Sequence, residues 1–232
     1  MRHKPDADRT TAPAHVVLAA VLQVRVGRLQ ALLWQRAREP FRGAWALAGG
    51  SLAADETLEG SIRRQLAAKV DVRELAHLEQ LGTWSETDRH PARRELATAF
   101  LGLVPADVDP GLPADTNWHV VDDLPPLAFD HEEIVLAARE RLRGKLSYTN
   151  IGFALAPESF TLSELRGLYA AALGHDVSAT NLKRVLLRRD VLHATGARRE
   201  PGRSGGRPAE VYRFRSRSLE ITDPFAALRP PS

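Results

Sequence analysis

The sequence predicts a mixed α/β domain, its mixed sheet flanked by helices, followed by a C-terminal winged helix-turn-helix domain. Three observations carry this expectation. Strand-like and helix-like runs alternate through the front of the chain, two closely spaced amphipathic runs follow, and the two parts differ in charge. Residues 146–232 hold 13 Lys and Arg against 8 Asp and Glu, whereas residues 1–145 hold 19 against 21. Within residues 178–217 the count is 11 against 3, the footprint of a surface that meets phosphates; a merely solvated basic face is the blander reading.

Length and composition agree with two packed cores. At 232 residues the chain exceeds the commonest domain size, although one large domain would also accommodate it. Apolar content of 44% with 26% charged residues reads as globular. The absence of cysteine excludes disulfides, thiolate metal sites and Cys nucleophiles. The apolar run Val16 to Leu22 is too short to span a bilayer, and Asp6 and Asp8 interrupt the basic lead of an export signal, so the expectation is a cytoplasmic protein without a membrane partner.

Residues 1–14 are polar and Pro-interrupted, and read as a disordered arm. Two strand-like runs follow, His15 to Val24 and Arg28 to Arg36, with a turn at Gly27. Leu58, Ile62 and Leu66 recur every fourth residue and predict a helix from Thr57 to Lys69. Glu95 to Val104 predicts another strand, and Asp130 with Glu133 a capping box opening a helix to Arg143. These elements make a domain over 15–143. The Gly, Ser, Thr and Asn residues of Gly144 to Gly152, with Pro157 beyond, predict a hinge over 144–157.

Thr161 and Glu164 form a capping box after Phe160, opening a helix whose stripe is Leu162, Leu165, Tyr169 and Leu173 and whose stop is Gly174. A short turn leads to a second helix, Ala179 to Arg189, in helix-turn-helix fashion. There Leu182, Val185 and Leu186 cover one side, while Asn181, Arg184 and Arg188 occupy another with Lys183 at its flank. Asn and Arg make bidentate contacts to adenine and guanine edges and Lys suits phosphate, which places this helix in the major groove of double-stranded DNA. Leu187 does not fit that polar face. Val191 to Thr195, a Gly and Arg-rich tip, and Val211 to Phe214 read as strand, wing, strand, with Arg203 and Arg207 available for a minor groove or for phosphates. The domain spans 158–220, with 221–232 as a tail. A basic helical domain binding acidic protein or RNA is the competing reading.

Gly50, Glu56, Arg64, Leu66 and Val72 fall in the register of the Nudix box, and the preceding Trp45-Ala46-Leu47-Ala48-Gly49 run resembles its approach. The front domain therefore resembles a Nudix fold. Where that family carries three glutamates, this sequence has Gln65, Ala68 and Lys69. Three and four residues apart, these positions share a helix face on which carboxylates would hold hard divalent cations. Their replacement predicts no metal and no catalytic residues, since the hydrolysis rests on metal-assisted attack of water. Glu56, Glu59, Glu132 and Glu133 are the carboxylates that a surviving ADP-ribose pyrophosphatase would have to use.

The resemblance implies that Glu56 and Arg64 brace the loop, and that Arg36, Trp45, Gly49, Gly50, Arg64, Lys69 and Arg89 line a site for a nucleoside diphosphate sugar. Lys69 would supply the charge of the missing cation; a solvated lysine is the alternative. Trp45 would stack on the nucleotide or simply fill the core. The Asp88-Arg89-His90-Pro91 and Phe129-Asp130-His131 runs, with Arg93, resemble regions of ADP-ribose-handling members. A degenerate Nudix domain, a hinge and a basic winged helix together resemble the NrtR family of transcriptional regulators of NAD metabolism. That resemblance implies a repressor acting as a homodimer on a two-fold operator, with no cofactor, released by ADP-ribose as its effector. Lys145, beside the hinge, would touch phosphate or carry a charge-removing modification.

Overall fold

The computed structural model describes residues 12–200 and 208–223. Strands β1 (Ala14–Arg25) and β2 (Arg28–Gln35) form a hairpin. Its two turn residues, Val26 and Gly27, both have positive φ, the conformation that matches the twist of the flanking strands. The front domain continues through β3 (Trp45–Ala46), β4 (Ala48–Ser51), α1 (Leu58–Val70), β5 (His77–Trp84), β6 (Glu95–Leu103), β7 (Thr116–Val120) and α2 (His131–Tyr148). Seven strands make one sheet in the order β3-β2-β1-β6-β5, with β4 paired to β1 and β7 to β2. Only β1 and β6 run parallel; the other pairs are antiparallel, so the sheet is mixed.

Strand β1 is central and buried on both faces, which explains its unbroken apolar run. Val17, Ala19 and Val21 pack with Ile62, Leu66 and Val70 of α1. Val16, Leu18, Ala20 and Leu22 pack on the opposite side with Ile134, Ala138 and Leu142 of α2. Helix α1 starts at Thr57, whose hydroxyl accepts from the Gly60 N–H, and closes on Asp71 in the left-handed region. Strands β3, β4, β5 and β7 were not legible in the sequence: the first two are very short, β4 bears two glycines, and β5 carries polar residues along an edge.

The second domain comprises β8 (Phe160–Thr161), α3 (Leu162–Leu173), α4 (Ala179–Arg188), β9 (Leu192–Arg199) and β10 (Ala209–Phe214), its strands ordered β8-β10-β9. The Thr161–Glu164 capping box forms, and Gly174 closes α3 with a φ of 77°. The buried row of α3 is Leu165, Leu168, Tyr169 and Ala172, shifted slightly from the expected stripe. Strand β9 extends beyond Thr195 to Arg199. Arg203 and Arg207 lie outside the described residues.

Three expectations are corrected. Helix α2 does not stop at Arg143 but continues to Tyr148, and residues 149–156 are all buried, with a 3-10 turn at Ile151–Ala154. The segment read as a hinge over 144–157 is a packed joint. Its glycine and polar residues alternate with Leu146, Ile151, Phe153 and Leu155, which join one hydrophobic cluster containing both the α2 face of β1 and Phe160, Leu165, Leu186 and Phe214. The two domains share a continuous core. The expected capping box at Asp130 is absent, because the Asp130 carboxylate is taken by Arg89. Residues 221 and 222 of the expected tail are tied down: Ile221 bridges Thr149, and the Thr222 N–H donates to the Tyr148 carbonyl at 2.9 Å. No helix among the described residues is long and apolar enough to cross a membrane.

Candidate functional site

A cavity of about 390 Å³ opens between β4, α1, the β5–β6 loop and the start of α2. Its charged and aromatic lining includes Trp34, Arg36, Lys69, Arg93, Phe129 and His131. Lys69 leaves α1 near its last turn and donates to the Gly49 carbonyl, with its ammonium 4.8 Å from the centroid of Trp34. Trp34 is itself fixed, its indole N–H donating to the Leu47 carbonyl at 3.0 Å. Burial, followed by the charges of Arg36, Arg38 and Arg64, makes the Lys69 ammonium more acidic than an ordinary lysine. It has no carboxylate partner among the described residues. This is a positive, half-buried wall facing a cavity.

Gly49 and Gly50 supply the close approach. A Cβ at Gly49 would lie 2.1 Å from the Val17 carbonyl oxygen, and one at Gly50 would lie 2.6 Å from the Gln65 amide. Gln65 is buried there, Ala68 offers no donor atom, and Lys69 brings a positive charge. These residues do not fit a divalent cation. Glu56 is bound to Arg64, whose hydrogen bonds hold its carboxyl at about 2, and Glu59 pairs with Arg63 at 2.9 Å. No cluster of three or more metal-ligating side chains occurs among the described residues.

The far wall is a buried ion network. Arg89, with a side chain only 1% exposed, donates through Nε and Nη2 to both oxygens of Asp130 at 2.9 and 2.8 Å, and through Nη1 to Glu95 at 2.7 Å. Arg93 caps the other Glu95 oxygen at 3.0 Å. The next residue of α2, His131, accepts the Leu47 N–H on Nδ1 at 3.0 Å. Burial, then Arg89 and Arg36, push its pKa down to about 3. It is a neutral structural acceptor.

An aromatic group stands at the rim. The Phe41 and Phe129 rings meet edge-on at 4.9 Å, His90 stacks on Phe129 at 5.6 Å, and the Arg36 guanidinium lies 4.7 Å from the Phe129 centroid. Both phenylalanines have positive φ, 64° and 56°, which is uncommon for bulky residues and clusters at ligand sites.

Of the residues expected to bind an effector, the structure brings Arg36, Gly49, Gly50, Lys69 and Arg89 to the cavity. Two it does not. Trp45 packs on the core against His119, because pairing of Gln35 with Trp45 and of Trp34 with Ala46 gives Trp34 the cavity-facing position. Arg64 is turned outward onto Glu56. Arg89 reaches the wall with its guanidinium already committed to carboxylates. Trp34, Glu95 and Phe41 were missed. Strand parity would have found Trp34, but positive φ and long-range ion pairs leave no local signal.

On the second domain, Asn181, Arg184 and Arg188 are exposed on one side of α4, with Arg184 donating to the Asn181 carbonyl oxygen at 2.8 Å. Lys183 instead packs over Tyr212 and faces Glu210 at 3.7 Å, so it braces α4 on β10. Lys145 does not face a phosphate site: it pairs with Glu79 at 2.9 Å. Burial alone would raise the Glu79 carboxyl, but hydrogen bonds from His77 and Lys145 bring it to about 2.

The fold and site define a class: a Nudix domain with a cation in place of its metal ligands, joined to a winged helix. A family model for the NUDIX domain matches residues 14–138, and one for the NrtR DNA-binding winged helix domain matches residues 152–214. Shewanella oneidensis NrtR, solved in complex with a 27mer DNA, is 33% identical with a TM-score of 0.74, over 86% of this chain and 93% of that one. The chain belongs to the NrtR family. The Nudix domain of the same Shewanella protein, solved with ADP ribose, is 31% identical with a TM-score of 0.51, covering 59% of this chain and 93% of that one. An ADPR responsive transcriptional repressor from Acinetobacter baylyi is 29% identical over 92% of this chain and 86% of its own length. An ADP-ribose pyrophosphatase from Methanocaldococcus jannaschii is 32% identical over 45% of this chain and 62% of its own length.

Proposed function

We propose that this chain is a cytoplasmic transcriptional repressor of NAD biosynthesis or salvage genes, released from its operator by ADP-ribose. The observation that carries this reading is the Lys69 ammonium, held by Gly49 and Trp34 with no carboxylate partner among the described residues. It is a fixed positive charge suited to a pyrophosphate in place of a metal ion. With Gln65 and Ala68 beside it, the site holds its ligand without activating water for attack. ADP-ribose is the ligand bound by the Shewanella relative's Nudix domain and named for the Acinetobacter repressor, which supports the same effector here.

Asn181, Arg184 and Arg188 read the operator from α4, Arg203 and Arg207 extend the contact from the wing, and a homodimer presents two such surfaces to a two-fold site. Arg36, Gly49, Gly50 and Lys69 form the effector contacts. The packed joint makes communication rigid: α2 begins at the cavity with Asp130 and His131, and its Ser147 carbonyl accepts from Arg189, the residue that closes α4, at 2.7 Å. A shift at the start of α2 is thereby passed to the reading helix as a body. The test is fluorescence anisotropy of a promoter fragment from an NAD-synthesis operon, titrated with protein at fixed salt. ADP-ribose should weaken binding at least tenfold, and unchanged affinity would refute the effector assignment.

A further inference from the structure

Helix α4 has three kinds of surface. Leu182 and Leu186 are buried, Lys183 is turned onto β10, and Thr180, Asn181, Arg184, Leu187 and Arg188 are exposed. Leu187 is 41% exposed, one of only five large apolar side chains left open among the described residues. It stands one turn beyond Arg184 and beside Arg188, within the segment where basic residues most outnumber acidic ones.

An isolated exposed leucine is ordinarily unremarked. This one occupies a particular row. Thr180, Arg184 and Leu187 stand at i, i+4 and i+7, the spacing by which one helix face reaches successive base edges in a major groove. A leucine offers base edges no hydrogen bond. The large apolar group that those edges present is the 5-methyl of thymine, which distinguishes an A·T pair at that step. Guanidinium groups on both sides complement the phosphates that border such a methyl, whereas a single leucine between arginines is far smaller than a protein-docking surface.

We propose that Leu187 is a specificity-determining residue that selects thymine in the operator by packing against its 5-methyl group. This rests on the DNA-binding reading of α4. The test starts from duplexes enriched by the full-length protein from a random-sequence library. The enriched duplex is then remade with each dT replaced singly by dU, which removes only the methyl, and binding is followed by anisotropy at fixed salt.

A single dT→dU change at the contacted position should weaken the wild-type protein about fourfold, the factor that corresponds to burying one methyl-sized group. Leu187→Ala should bind the dT and dU duplexes equally, and Leu187→Met, which keeps an apolar side chain, should retain the preference. Indifference of the wild type to dU at every position, or a full dU penalty in Leu187→Ala, overturns the proposal. A melting temperature lowered by several degrees in Leu187→Ala also overturns it, because the leucine would then be covered by the protein itself. Failure to enrich any duplex sinks the DNA-binding reading and the proposal together, a result distinct from the other three.

Discussion

The Lys69 ammonium lies over the face of Trp34, 4.8 Å from the ring centroid, while donating to the Gly49 carbonyl. The aromatic face and the carbonyl dipole steady a charge that burial and three neighbouring arginines would otherwise oppose. An anionic ligand would favour the charged form further, so binding should be accompanied by a rise in the lysine pKa. Replacing Lys69 with Met is expected to weaken ADP-ribose at least tenfold by calorimetry while leaving the melting temperature within a few degrees of wild type. Loss of about 1.5–3 kcal/mol is typical for a charge-assisted hydrogen bond.

The Asp130–Arg89–Glu95 network should be far more costly to break. Among the described residues Arg89 is the only cation paired with Asp130, and it shares Glu95 with Arg93, so Arg89→Met leaves buried carboxylates without their main partner. Urea unfolding should show a loss of about 3–5 kcal/mol. A loss below about 1 kcal/mol would mean that water reaches the carboxylates.

His131 predicts a pH dependence. Its imidazole is neutral in the folded state, with a pKa near 3, so between about 6.5 and about 3 the unfolded chain binds the extra proton. Stability must therefore fall as pH drops through that window, and by pH 5 His131 accounts for about 2 kcal/mol. His90 and His119 are also depressed by burial and add to the slope. Asn in place of His131 still offers an oxygen to the Leu47 N–H, and thermal melts from pH 7 to pH 5 should become visibly flatter. An unchanged slope would contradict the buried, neutral imidazole.

The two loop glycines should respond differently. A methyl at Gly49 meets the Val17 carbonyl in the sheet, so Gly49→Ala should unfold or strongly destabilise the front domain. A methyl at Gly50 meets only the end of the Gln65 side chain, which can swing aside. Gly50→Ala should fold, and circular dichroism melts of the pair separate the two cases.

What the sequence revealed followed from periodicity and caps. Leu58, Ile62 and Leu66 announced α1, and Thr161 with Glu164 announced α3, because each signal is carried within one turn of chain. The joint at 144–157 misled for a physical reason: glycine and hydroxyl residues that usually mark loops are tolerated here because neighbouring apolar side chains are buried from both domains at once. The box substitutions at 65, 68 and 69 were visible directly. The partners of Arg89 and the cavity-facing position of Trp34 depend on residues that are distant in sequence, and strand pairing had to be known first.

In the proposed function the lysine, not a metal ion, anchors the pyrophosphate in a site that does not consume its ligand. Calorimetric titration of ADP-ribose into the protein, once in excess chelator and once in millimolar magnesium, tests it most directly, with the ligand recovered afterwards and assayed for AMP. Equal affinities and intact ADP-ribose are predicted. Binding that requires magnesium, or release of AMP, would contradict the account.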